Sequence, residues 1–156
     1  MTHVLSLRHT LATLAYRAGK VLRSLPPGAA GFEASPGART PLQILAHMGD
    51  LMEWALSMVT GSPGWRDSTP LAWEAEVARF VAALEALDSR LALSPECGAT
   101  AEKLFQGPVA DALTHTGQIA LLSRLAGSPV KGENYFVAKI EEGRVGVSQA
   151  DPVREF

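Results

Sequence analysis

Four side chains in this sequence have the types and spacing to do chemistry together. Near the start of the last apolar segment, "ADALTHTGQIALLSRLAG" places Asp111 and His115 four residues apart, with Gln118 nearly one turn further on. Side chains at i and i+4 of a helix face the same way, with Cβ atoms about 6 Å apart, so two ligands at that spacing can converge on one ion. Far upstream, His47 stands inside an apolar stripe formed by Ile44, Met48, Leu51, Met52, Ala55, Met58 and Val59. A carboxylate or imidazole on an inward face is costly to bury without a partner. Two histidines and an aspartate from two helices would form a three-ligand metal site. Its open positions are the mark of a catalytic rather than a closed structural centre. His47, Asp111 and His115 are the candidate metal ligands.

The same residues admit a plain structural reading. A single core histidine is commonly just hydrogen-bonded, and Asp111 suits the first turn of a helix, where negative charge is favoured. Asp111 and His115 can also form an i,i+4 pair on a half-exposed face.

If the helices carrying His47 and Asp111 run parallel and start level, the three ligands meet at one depth. If they run antiparallel, an axial offset is needed. Gln118 is placed to orient His115 or a bound water. Asp50, three residues after His47, is a candidate to accept the far ring N–H of His47, the usual carboxylate support of a ligating histidine. Asp50 and Glu53 also fit a solvated helix face. Trp54 reads as core packing that could line a pocket, and Arg124 as a surface or loop-pairing residue. Met48, Met52 and Met58 read as packing rather than a copper site. His9 falls opposite the apolar stripe of its helix, and His3 lies at a frayed start.

The elements that must position these residues are helical. Four segments carry the 3.6-residue apolar period. The first runs from about Thr2 to Leu25. The second opens with Thr40 as N-cap and Pro41 at the first helical position, and runs to about Thr60. The third opens at Thr69–Pro70 and runs to about Leu93. The fourth opens at Pro108 and runs to Ala126, closed by Gly127 and Pro129. "SPECGATAEKLFQG" reads as a loop with at most a short helical turn. Helices of roughly 20 residues are about 30 Å long and make an all-α four-helix bundle, here with long connections that leave the topology open. The bundle spans residues 1–130. Residues 131–156 form a tail packed on it, with one short helix in "NYFVAKIEEG" or a wrapped extended course. Tyr135 and Phe136 in that tail are suited to cover a bundle end or a partner.

Bulk composition narrows the function classes. The chain has 156 residues, 47% hydrophobic and 19% charged, with a net charge of −2. That suits one soluble domain and offers no basic excess for nucleic acid or an anionic membrane. The start, "MTHVLSLRHTLATLAYRAGK", has no uninterrupted apolar run, so neither a secretion signal nor a membrane span is expected and a cytoplasmic location is the default. Cys97 is the only cysteine, which excludes an intrachain disulfide and argues against a cysteine-based zinc site. It reads as incidental. No GxGxxG, Walker, GxSxG or CxxC signature occurs.

"TPLQILAHMGDLMEWAL" followed by "THTGQIALLSRLAGSPV" resembles the DinB/YfiT-like superfamily of four-helix-bundle metalloenzymes. There, one helix-2 histidine joins two histidines four apart in the last helix, the second leading into "HxGQ" and "LLRxLG". His47 matches the first and His115 the "HTGQ" histidine. Asp111 stands where the remaining histidine is usual. The pattern covers roughly residues 1–130, and "GENYFVAKIEEGRVG" also looks like the tail of some members.

The resemblance implies a divalent metal ion (nickel, zinc or iron). It implies a small-molecule substrate, with thiol S-transfer from a low-molecular-weight thiol such as bacillithiol or mycothiol, or hydrolysis, as the reaction. A homodimer is expected by analogy. Replacing imidazole by carboxylate lowers the site charge by one and makes the metal a weaker acid. It also reproduces the 2-His-1-carboxylate set of iron oxygenases. The alternative is a non-catalytic relative that binds a small molecule or partner in the same cavity.

Overall fold

The computed structural model describes residues 2–94 and 98–156, with the backbone alone described for residues 2–6. Cys97 lies outside the described residues, and so does the side chain of His3. The chain is an all-helical four-helix bundle, with no strand among the described residues. Its elements are α1 (Thr2–Ser24), α2 (Pro41–Val59), α3 (Trp73–Leu93), α4 (Ala101–Leu104) and α5 (Ala110–Leu125). A π-helical stretch, Phe105–Val109, joins α4 to α5, so the two make one rod. None of these helices is long and apolar enough to cross a membrane.

The cap at the start of α2 forms as its sequence predicts. Thr40 Oγ1 accepts the Gln43 N–H at 3.2 Å and Gln43 Oε1 accepts the Thr40 N–H at 2.9 Å, a capping box ahead of Pro41. Two other boundaries differ from expectation. Helix α3 starts at Trp73, not at Thr69–Pro70. The buried Glu76 carboxylate reaches back to accept the Leu71 N–H at 2.9 Å, and Ser68 is tied to α2, so residues 68–72 stay extended.

The last rod starts at Ala101, where Thr100 Oγ1 caps the Lys103 N–H, so Pro108 lies inside it rather than opening it. Proline has no N–H and crowds the carbonyl four residues back. The rod widens at this point, and the Ala110 N–H reaches the carbonyl of Phe105, five residues earlier. Gly127, at φ 85°, ends it.

Contacts between elements set the directions. Arg79, early in α3, bonds the Ala46 carbonyl of α2 at 2.7 Å. Beyond the end of α3, a Cβ on Gly98 would lie 2.5 Å from the Met58 carbonyl at the end of α2. So α2 and α3 run parallel, and the connection between them travels back along the bundle. Arg8 of α1 meets Asp88 near the end of α3, and Ser128, just past α5, meets Ser24 at the end of α1. Helices α1 and α5 therefore run together, opposite to α2 and α3. Each of α1 and α2 packs against both α3 and α5. The core between them is apolar, with Leu11, Leu14, Leu45, Met48, Met52, Phe80, Leu84, Leu87, Leu104 and Ile119 fully buried.

The tail makes only a 3-10 turn, Tyr135–Val137, and otherwise wraps in an extended course. Buried Glu133 accepts from Tyr16 Oη at 2.6 Å and from Lys20 Nζ at 2.8 Å, and Val145 is buried. The chain end returns to pair with its own start, Phe156 N–H to the Gly132 carbonyl and Asn134 N–H to the Arg154 carbonyl.

Candidate metal centre

His47, Asp111 and His115 come together. One ligand atom from each lies within 4.8 Å of the other two. Asp111 Oδ2 is 3.4 Å from His47 Nε2, and Asp111 Oδ1 is 3.3 Å from His115 Nε2. The two imidazoles meet edge to face, with centroids 4.9 Å apart at 88°.

The helices carrying them run antiparallel, so the meeting needs an axial offset. The early start of the last rod supplies it. From Met58 back to His47 is about 16 Å of helix, and from Ala101 forward to Asp111 is about 15 Å. A rod beginning at Pro108 would leave the ligands more than a turn out of level.

His115 Nδ1 lies 2.7 Å from Gln118 Oε1. With the amide oxygen as acceptor, Nδ1–H donates, and Nε2 is the ring nitrogen that faces Asp111. A carboxylate oxygen and a ring nitrogen face each other there across 3.3 Å. Such an arrangement calls for a cation, either a proton on a ring or a metal ion. The two carboxylate–imidazole spacings use different Asp111 oxygens, so the carboxylate lies between the two rings. Two imidazoles and a carboxylate at these distances could hold a metal ion. His115 is buried and His47 mostly so, while the Asp111 side chain is 46% exposed, which leaves the centre open to solvent on the carboxylate side.

Asp50 does not take the role expected for it beside His47. Its Oδ2 accepts the Ser68 N–H at 3.1 Å and its Oδ1 accepts from Arg79 at 2.9 Å. Arg79 also bonds buried Glu76, Ser68 Oγ and Glu53. Burial works against the Arg79 charge, but these acids outweigh it and hold the guanidinium more firmly protonated than usual. The network fastens the returning 60–72 connection to α2 and α3. A Cβ on Gly49 would lie 2.7 Å from the Arg79 guanidinium, so glycine there gives the arginine its path across α2.

That connection delivers a residue which its sequence context did not single out. The Trp65 ring packs 5.6 Å from the His47 ring and 5.7 Å from Trp54, forming an aromatic wall beside the centre. Trp65 stands in "GSPGW", just past the end of α2. No local pattern could aim it at His47, because its position depends on the path of the whole connection. Trp54 packs partly against the core. Met48 and Met52 are fully buried, and Met58 packs on the core as well. His9 and Arg124 are exposed.

Compared with family models, curated proteins and solved structures, the chain matches none.

Proposed function

We propose that this protein is a metal-dependent enzyme of the DinB/YfiT type, with a divalent ion held by His47 Nε2, His115 Nε2 and the Asp111 carboxylate. One observation carries the reading: ligand atoms from two antiparallel helices lie within 4.8 Å of one another. The paired "LAHMGD" and "HTGQ" motifs support it in the same positions.

A divalent ion in such a site supplies Lewis acidity, which lowers the pKa of a bound thiol or water enough to make a nucleophile near neutral pH. The chain's own groups prepare it. Gln118 fixes the His115 ring with Nδ1 protonated and Nε2 free to ligate. Asp111 carries the negative charge and leaves its outer side open for the substrate. Trp65, backed by Trp54, packs on His47 and offers an apolar face to an incoming electrophile. The reaction is thiol S-transfer with a low-molecular-weight thiol, or hydrolysis. Nickel, zinc and iron are the metals the ligand set suits.

The exposure of Asp111 favours one competing reading, a bundle that binds a small molecule without catalysis around a weakened metal site. Elemental analysis of untagged protein, purified without chelator, separates the two. Stoichiometric metal, lost in His47→Ala and His115→Ala while helical circular dichroism is kept, is expected. No metal after loading with nickel, zinc or iron would overturn the enzyme reading. A conjugation screen with several low-molecular-weight thiols then identifies the reaction.

A further inference from the structure

A second concavity lies apart from the metal centre. It has a volume of about 340 Å³, and its walls come from α1, the connection after it, α3 and the tail, with none from α2 or α5. Leu22, Phe80, Leu84 and Val145 make it apolar, and the tail closes one side. An apolar pocket of roughly 300 Å³ or more with very few polar groups is the usual form of a small-molecule site.

Two charged residues line it, Arg23 and Glu74. Glu74 belongs to the first turn of α3, where the helix N-terminus accounts for a negative charge. Arg23 is differently placed. It belongs to the last turn of α1, where a cation would ordinarily lie against the terminal carbonyls. Its side chain instead folds back over Gly19, one turn earlier. A Cβ on Gly19 would lie 2.9 Å from Arg23 Nη1. The bare glycine backbone thus lets the guanidinium lie along the pocket. No carboxylate of a described residue pairs with it, and it is the one arginine among the residues lining this cavity.

We propose that this cavity binds a small amphipathic carboxylate, its apolar body between α1, α3 and the tail and its head group on Arg23. A guanidinium recognises a carboxylate through paired N–H donors in one plane. The site stands independently of the metal reading.

Three probes with the same ten-carbon chain test it by isothermal titration calorimetry at pH 7: decanoate, decan-1-ol and decylammonium. Decanoate is expected to bind most tightly. Arg23→Gln, an exposed change that leaves the core intact, is expected to weaken decanoate about tenfold and leave decanol within about twofold. Glu74→Gln removes a like charge from the rim and is expected to tighten decanoate. Gly19→Ala, which displaces the guanidinium, is expected to weaken it. The proposal is overturned if decanoate does not bind. It is equally overturned if decanol or decylammonium binds as tightly, or if Arg23→Gln leaves decanoate affinity unchanged.

Discussion

His115 Nδ1 and Gln118 Oε1 lie 2.7 Å apart on the same face of α5. This one hydrogen bond decides which ring nitrogen is free for a metal. Gln118→Leu removes the acceptor and lets the ring turn or change tautomer. It is expected to weaken metal affinity by about 10- to 100-fold, as loss of such supporting bonds does. Gln118→Glu keeps an acceptor and is expected to bind at least as tightly as wild type. Chelator competition with zinc measures both. Equal affinity for Gln118→Leu and wild type would count against the role.

The Trp65–His47 contact makes a reporter. The rings are 5.6 Å apart, so a paramagnetic ion such as Co²⁺ or Ni²⁺ at the centre is expected to quench Trp65 emission. Trp65→Phe is expected to lose most of the quenching while binding the ion within a few-fold of wild type. Quenching that persists in Trp65→Phe and in His47→Ala would place the ion elsewhere.

The Arg79 network predicts an asymmetry in stability. Glu76 is 0% exposed and rests its charge on Arg79. Arg79→Met leaves that carboxylate buried without its cation and is expected to cost about 3–5 kcal/mol. Replacing both residues, as Arg79→Met with Glu76→Leu, is expected to cost less than the single change, since Glu76 is then no longer an orphaned charge and of the two buried carboxylates only Asp50 lacks its cation. Urea melts of wild type and the two variants check the order, and a double variant weaker than Arg79→Met would contradict it.

Tail docking is expected to depend on pH at both ends of the scale. Burial and the bond to Glu133 both raise the Tyr16 pKa. Burial disfavours the Lys20 charge, yet Glu133 and Glu155 outweigh it and its pKa is raised too. Groups with raised values contribute stability in full below their unfolded values, 10.0 for Tyr and 10.5 for Lys, and lose it as pH climbs through the folded ones. Desolvation acts against the Glu155 charge, but Lys20 and Lys131 outweigh it and its pKa is lowered. Its contribution is full above the ordinary value of 4.5 and fades as pH falls through the lowered one. Hydrogen exchange of the tail amides, corrected for intrinsic rates, is expected to show flat protection from about pH 5 to 9.5. Protection should fall on either side.

Short-range patterns along the chain are enough to read the helices, Thr40 as the N-cap of α2, the inward aim of His47 and the pairing of Asp111, His115 and Gln118. All of these rest on residues three or four positions apart, whose relation is set by helix geometry itself. The start of α3, the true beginning of the last rod and the partner of Asp50 were not legible in that way. The rod start rests on a local Thr100–Lys103 cap outside the apolar period, while the others involve groups far apart in sequence: Ser68 and Arg79 on Asp50, Trp65 on His47. Two of these relations follow from the return course of residues 60–72. That course is settled by buried charges finding each other across helices, and no local propensity encodes it. Likewise, an aspartate and a histidine one turn apart announced a possible metal site. Only the ten residues of helix before Asp111 brought them level with His47.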